Sequence, residues 1–239
     1  MDGPPIREQP LFGGAIAAAI PQGWVDGSNL RQVPDHQELF LSSTTLSSLI
    51  FEINEFVAHE QAVTVSSTAQ GAALLSSFPS STLPSPAAED VVAALYHVHD
   101  LCDETEGDTI EMVSPPEPVT LPRLTQQPVR AYAGSVRFRS LRKRRPGQPQ
   151  PQAQGGMEVD QQAGANGVAG GPRSTYSCRF LVIRLPEQTT DICVYVNVPF
   201  DEYEERGDEA GLAAEEALAT ALLAKIVELF EVKDWGLFG

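Results

Sequence analysis

The stretch YHVHDLC places two histidines, an acid and a thiol close together: His97, His99, Asp100 and Cys102. On a strand, His97 and His99 project to the same side, and with Cys102 they could hold a metal ion such as zinc. A zinc site needs a further ligand and groups that orient the set, and no CxxC or HxxxH spacing supplies them. The alternative is that these are ordinary polar residues of their element, and no metal or other cofactor is expected. Cys178 and Cys193 lie in apolar runs, where thiols are inert packing groups. The chain has no GxSxG elbow, no GxxxxGK[ST], and no GxGxxG following a strand. Asp35 and Glu38 are spaced like an acid–base pair, but on a solvent-facing turn they lack the desolvation that separates two carboxyl pKa values. Action by binding, not catalysis, is the expectation.

Composition narrows the class of partner. The 239 residues carry a formal net charge of -16, which argues against nucleic acid, since a polyanion is held by clustered Lys and Arg. An acidic surface suits a protein partner with a basic face, and it also serves solubility. The N-terminal MDGPPIREQP lacks the basic and apolar regions of a signal peptide, and no apolar run approaches the ~18 residues of a membrane span. Three cysteines at irregular spacing make no disulfide framework, so a reducing compartment is expected. LRKRRP, Leu141 to Pro146, reads either as a nuclear-localisation patch or as a solvated charge run.

Two low-complexity segments must sit outside whatever core positions these residues. Residues 64–86 are Ser/Pro-rich and uncharged; residues 140–174 have no aromatic and are built from Gln, Gly, Pro and Ala. Neither composition buries enough apolar area to offset its ordering entropy, so both are expected as disordered insertions into one domain spanning 1–239. The rest reads as strands and helices. GGAIAAAIP is a first strand or extended segment ended by Pro21, and QELFL, Gln37 to Leu41, is a strand bounded by turn residues. SLIFEIN alternates and then runs into a helical turn, while Leu49, Ile53 and Phe56 also share one helical face. PAAEDVVAALYHVHDLC begins as a helix, with passage into a strand near Tyr96 left open, and DTIEMV is a further strand. STYSCRFLVIRL and DICVYVNVPF form a hairpin across PEQTT, and VRAYAGSVRFRS pairs beside them with the 140–174 insertion as an overgrown loop. Leu218, Leu222, Ile226 and Leu229 recur at helical spacing in a helix from about Gly211 to Val232. Trp235, Leu237 and Phe238 then tuck against the sheet. The sum is an α+β fold: an α/β/α sandwich with a mainly antiparallel sheet flanked by helices.

One polar segment interrupts this pattern, LRQVPDHQELFL, Leu30 to Leu41. Pro34 holds Val33 extended, and Asp35 can shape a turn through its side chain. That leaves Arg31, Gln37 and Glu38 unexplained. If Leu39 and Leu41 face inward, Glu38 and Phe40 face outward, an acid beside an aromatic as in a contact surface. With Phe12, Gly13, Gly14, Ala15, Pro21, Asp26, Ser28, Leu30, Arg31, Val33, Pro34, Asp35, Gln37 and Glu38 in order, and SLIFEINEF, YHVHDL, LIRLPEQTTDICVYVNVP and VKDWGLFG after them, the chain resembles the Ran guanine nucleotide release factor family. His36 and the two insertions depart from the pattern. The resemblance implies a PsbP-like, six-stranded sheet and a protein that binds the small GTPase Ran, promotes release of its guanine nucleotide and supports nuclear protein import. It implies Asp35 and Glu38 as first Ran contacts, with Arg31, Gln37 and Phe40 supporting them. A monomer in nucleus and cytoplasm is expected. A non-exchanging scaffold on the same fold is the other reading.

Overall fold

A computed structural model describes residues 4–77, 85–125, 127–141 and 173–238. The first hairpin, β1 (Ile6–Leu11) and β2 (Ile16–Pro21), closes through Phe12–Gly14, where three successive residues have positive φ: Phe12 49°, Gly13 66° and Gly14 96°. Two glycines make that turn possible, and Phe12 occupies a left-handed conformation that a side chain disfavours. The buried IAAAIP of β2 lies between β1 and a two-residue strand near the C-terminus, β10 (Glu231–Val232), in a three-stranded sheet.

The main sheet holds β3 (Val25–Asp26), β4 (Gln37–Leu41), β5 (Ser48–Glu55), β6 (Thr109–Val119), β7 (Arg130–Leu141), β8 (Arg173–Leu185) and β9 (Thr190–Pro199). Their order is β3-β4-β5-β9-β8-β7-β6, all pairs antiparallel. Six strands have five residues or more, and the seventh is the two-residue β3. β7 and β8 stay in register out to Leu141 opposite Arg173, so the 140–174 insertion does sit on a hairpin, and its residues 142–172 lie outside the described ones.

Helices cover both faces. α1 (His59–Ala62), α2 (Ala69–Ser76) and α3 (Ser85–Asp100) lie on one; α4 (Asp201–Glu204) and α5 (Glu209–Leu229) lie with the small sheet on the other. Alternate residues of each central strand feed two cores. Leu181, Ile183, Ile192, Val194 and Val196 meet α5 with Leu222 and Ile226; Phe180, Val182, Cys193 and Tyr195 meet α3 with Val91, Ala94, Leu95 and Val98. Trp235 and Phe238 pack on the first core, as their apolar character requires.

Three expectations change. YHVHDLC stays helical to Asp100, because Leu95 and Val98 bury their α3 face at helical spacing against the sheet. The last helix stops at Leu229, and Glu231–Val232 leave it to pair with β2. Of residues 64–86, those as far as Ser77 are folded: Val63–Ser67 make a tight turn and α2 follows, because Val65 and Leu74 find core to bury in. Residues 78–84 lie outside the described ones.

Candidate functional site

The polar segment begins after a short turn, Gly27–Asn29, which Asp26 caps by accepting from Ser28 N at 2.8 Å. Gly27 lies flat on Leu39: a Cβ there would come within 2.6 Å of Leu39 Cδ2, so only glycine lets the turn close over the strand. Leu30 N and Arg31 N both donate to Gly27 O, and the chain then swings out with the Leu30, Arg31 and Asp35 side chains in solvent. Pro34–Gln37 forms a turn closed by Gln37 N donating to Pro34 O at 2.9 Å. Ile53 N donates to His36 O at 2.9 Å and pins the turn to β5. Asp35 therefore does not build its turn with its side chain. The backbone closes it, and the Asp35 carboxylate and Arg31 guanidinium make no hydrogen bond or ion pair among the described residues.

The remaining predicted residues divide by face. Gln37 projects to the α3 side, where its amide donates to Glu52 Oε1 at 2.7 Å, with His36 Nε2 3.7 Å from the same oxygen. Glu38 projects to the α5 side, and its Oε1 accepts from Phe12 N at 2.7 Å. Glu38 thus satisfies a donor of the left-handed Phe12–Gly14 turn and leaves its second oxygen unpaired among the described residues. Phe40 follows Glu38 on that face and corrects the expectation of an exposed aromatic. It is 2% exposed and packs edge-on to Phe51 with ring centroids 6.5 Å apart. Glu38 and Phe40 do share a face, but both faces of this sheet are covered, so that face looks into the α5-side core and not into solvent. Arg31, Asp35, Gln37 and Glu38 gather at one end of β4; Phe40 lies beneath them.

His97, His99 and Cys102 do not converge. Two positions apart on a helix, the histidines point about 200° from each other. His99 Nε2 meets Glu104 Oε1 at 2.7 Å and Thr68 Oγ1 at 3.0 Å, and Cys102 is buried with its thiol pKa pushed up to about 11 by burial. His97 enters a charge cluster that sequence reading missed. Its Nε2 lies 2.8 Å from Asp191 Oδ2, which also accepts from Val57 N at 2.9 Å. Arg184 Nε reaches Asp191 Oδ1 at 3.2 Å and Arg184 Nη1 reaches Asp90 Oδ1 at 3.0 Å, while Arg184 Nη2 donates to Val57 O at 2.5 Å. Asp90 also takes Tyr132 OH at 3.1 Å and Arg130 Nε at 2.9 Å. The Arg184 guanidinium stacks over the Phe56 ring, 4.1 Å from its centroid. Burial opposes charging of His97, but Cys193 and Asp191 outweigh it and hold its pKa at about 10. Burial pushes the Asp90 carboxyl up, against the pull of Arg184 and Arg130. The one sequence signal was a pair of charges, Arg184 and Asp191, inside otherwise apolar strands.

Residues 9–199 match the family model of the Ran-interacting Mog1 protein. The chain is 54% identical over 57 residues to the Ran guanine nucleotide release factor of Bos taurus, covering 24% of this chain and 31% of that protein. It is 27% identical over 233 residues to the nuclear import protein MOG1 of Saccharomyces cerevisiae, 97% of this chain and 84% of that one. The alignments span under a third of the length of the first curated relatives matched. The crystal structure of the Saccharomyces cerevisiae Ran-binding protein Mog1p superposes with a TM-score of 0.55 at 23% identity, covering 98% of this chain and 99% of that one, which shows the same fold.

Proposed function

The chain belongs to the Ran-interacting Mog1 family, and from that membership we propose that it binds the small GTPase Ran, promotes release of its guanine nucleotide and so supports nuclear protein import. One observation carries the choice of site: Asp35 stands on a loop fixed by backbone bonds on both sides, yet its carboxylate has no partner among the described residues. A rigid loop that presents an unspent charge loses little entropy on docking, the condition for tight recognition. Asp35, Arg31 and the unpaired oxygen of Glu38 form the contact, with Gln37 and Glu52 holding the strand edge beside them.

Release needs no chemistry from this chain. A binder that holds the nucleotide-free GTPase more tightly than the loaded one shifts the equilibrium by the ratio of the two affinities. An acidic loop achieves this by competing for the lysine or divalent cation that holds the nucleotide phosphates. The chain works as one Ran-binding unit, a monomer active in nucleus and cytoplasm. The test is release of a fluorescent GTP analogue from Ran by the wild type, Asp35→Lys and Glu38→Gln. Acceleration by the wild type and not by Asp35→Lys is expected. Equal acceleration by both places the contact elsewhere; binding without acceleration makes the protein a scaffold on the same fold.

A further inference from the structure

On the α3 side of the sheet, α3 covers the β7–β9 half and leaves the β5 side open beyond its C-terminus. A cleft of about 350 Å³ lies there, floored by Tyr195 and walled by Ile50, Tyr176 and Pro199. Two leucines stand on its lip in solvent, Leu46 at 71% exposure and Leu101 at 39%. Exposing both on either side of an apolar hollow is costly unless something fills it.

The cleft continues the candidate Ran surface. Ile50 and Glu52 point to the same face of β5, two residues or about 7 Å apart. Gln37 pairs opposite Glu52 and Leu39 opposite Ile50, so one strip runs from Asp35 through Gln37 and Glu52 into the cleft. The charge around it has one dominant sign. Glu202 Oε2 accepts from Leu46 N at 2.8 Å, and Asp201 Oδ1 accepts from Thr175 N beside Tyr176 at 3.1 Å. Burial raises the Tyr176 and Tyr195 phenol pKa values, with the Asp108 and Glu52 charges adding to the respective shifts. Among the described residues near it, Arg206 is committed to Glu202, and Arg137 lies over the Phe200 ring, 5.2 Å from its centroid.

We propose that this cleft is the apolar half of the Ran-docking surface, and that it takes one large aliphatic or aromatic side chain from a lysine- or arginine-rich segment of the GTPase. The inference rests on the Ran reading above. It divides the labour of the interface: the apolar anchor supplies residence time, and the acids around it speed encounter and fix register.

The test is the Kd of the full chain for Ran, by titration calorimetry at two salt concentrations. Leu46→Ser with Leu101→Ser removes the lip without adding charge; both side chains are exposed, and an unchanged melting temperature verifies the fold. The double variant is expected to bind roughly tenfold or more weakly, as truncating an interface anchor does. Leu46→Met alone should keep wild-type affinity, because it keeps the apolar volume. Affinity of the wild type should fall with salt, as a basic partner segment requires. Wild-type affinity in the double variant, with Asp35→Lys still weakening binding, overturns the cleft proposal and leaves the Ran reading standing. No binding by the wild type overturns both. Loss of self-association in the double variant, with Ran affinity unchanged, assigns the cleft to a second copy of this chain and also overturns the proposal.

Discussion

Two polar clusters lie at the same end of the main sheet and use their bonds in opposite ways. Across β7, β8, β9 and β5, one row reads Arg130, Arg184, Asp191, Asn54; the next reads Tyr132, Val182, Cys193, Glu52 and then Gln37 of β4. Around Asp191 and Arg184 the charges are buried, and each carboxylate oxygen of Asp191 and Asp90 has a partner. Around Asp35 the backbone closes the turn, Gln37 and Glu38 each make one internal bond, and the Asp35 carboxylate and Arg31 guanidinium are left over among the described residues. A charge whose bonds are all spent inside the molecule fixes the fold; one held still and left unspent is available to another molecule. The buried cluster joins α3, the segment after β5 and three strands, and it anchors the strand end from which the exposed loop hangs.

The sharpest way to break that comparison is to remove Asp191. Asp191→Ala strands Arg184, His97 and the Val57 amide, and loss of one partner from a buried ion pair costs about 3–5 kcal/mol. Urea unfolding at neutral pH should show that loss, while the molecules that remain folded release nucleotide from Ran at the wild-type rate. A destabilisation under ~1 kcal/mol would mean that water reaches the cluster and that the two regions differ less than their burial implies.

Phe40→Ala exchanges the roles that sequence alone gave this residue. With the ring deep in the α5-side core, the expected cost is about 3–5 kcal/mol of stability, and Ran affinity of the folded fraction should be unchanged. Alternation in QELFL correctly put Glu38 and Phe40 on one face, and the strand, the β8–β9 hairpin and the closing helix were all legible from period and turn residues. What periodicity cannot show is whether the second face is covered, since that depends on β1, β2 and α5 folding back from both ends of the chain. The same limit hid the jobs of Glu38 and His97. Phe12 is 26 positions from Glu38, and Asp191 is 94 from His97, so no local spacing announces either contact. The turn at Asp35 was legible because its signals, Pro34 and the polar residues after it, are local; that the backbone closes it and leaves the carboxylate without a partner among the described residues was not.

A pH titration separates the clusters next. An unfolded histidine titrates near 6.5, while His97 in the fold stands at about 10. The stability supplied by its charge is whole below pH ~6.5 and is lost as pH rises through 10. The groups facing it are Asp191, Cys193 and, through Asp191, Arg184. Wild-type unfolding free energy should therefore decline across that window, by about 1.4 kcal/mol for each unit of pKa difference at most. His97→Gln keeps a donor for Asp191 and should flatten this part of the profile. A wild-type curve that is already flat would mean that His97 is neutral in the fold.

The smallest effect on stability carries the most about function, and it comes from comparing Glu38 with Asp35. Glu38→Ala leaves the Phe12 amide without its acceptor in a turn already strained by left-handed backbone, at a cost of about 1–2 kcal/mol. Glu38→Gln restores the acceptor and should recover most of it. Asp35→Asn touches no partner among the described residues, so its stability should stay within about 0.5 kcal/mol of wild type, while Ran affinity falls several-fold. Thermal melting and Ran titration on the three variants place each acid between the two clusters. If Glu38→Gln melts like wild type and still binds Ran fully, Glu38 belongs with Asp191 as a structural acid, and the contact rests on Asp35 and Arg31. If it melts like wild type and binds weakly, its second oxygen reaches Ran, and one carboxylate serves both the turn and the partner. That dual use would tie recognition to the Phe12–Gly14 hairpin, because any movement of the turn would displace the acid that meets the GTPase.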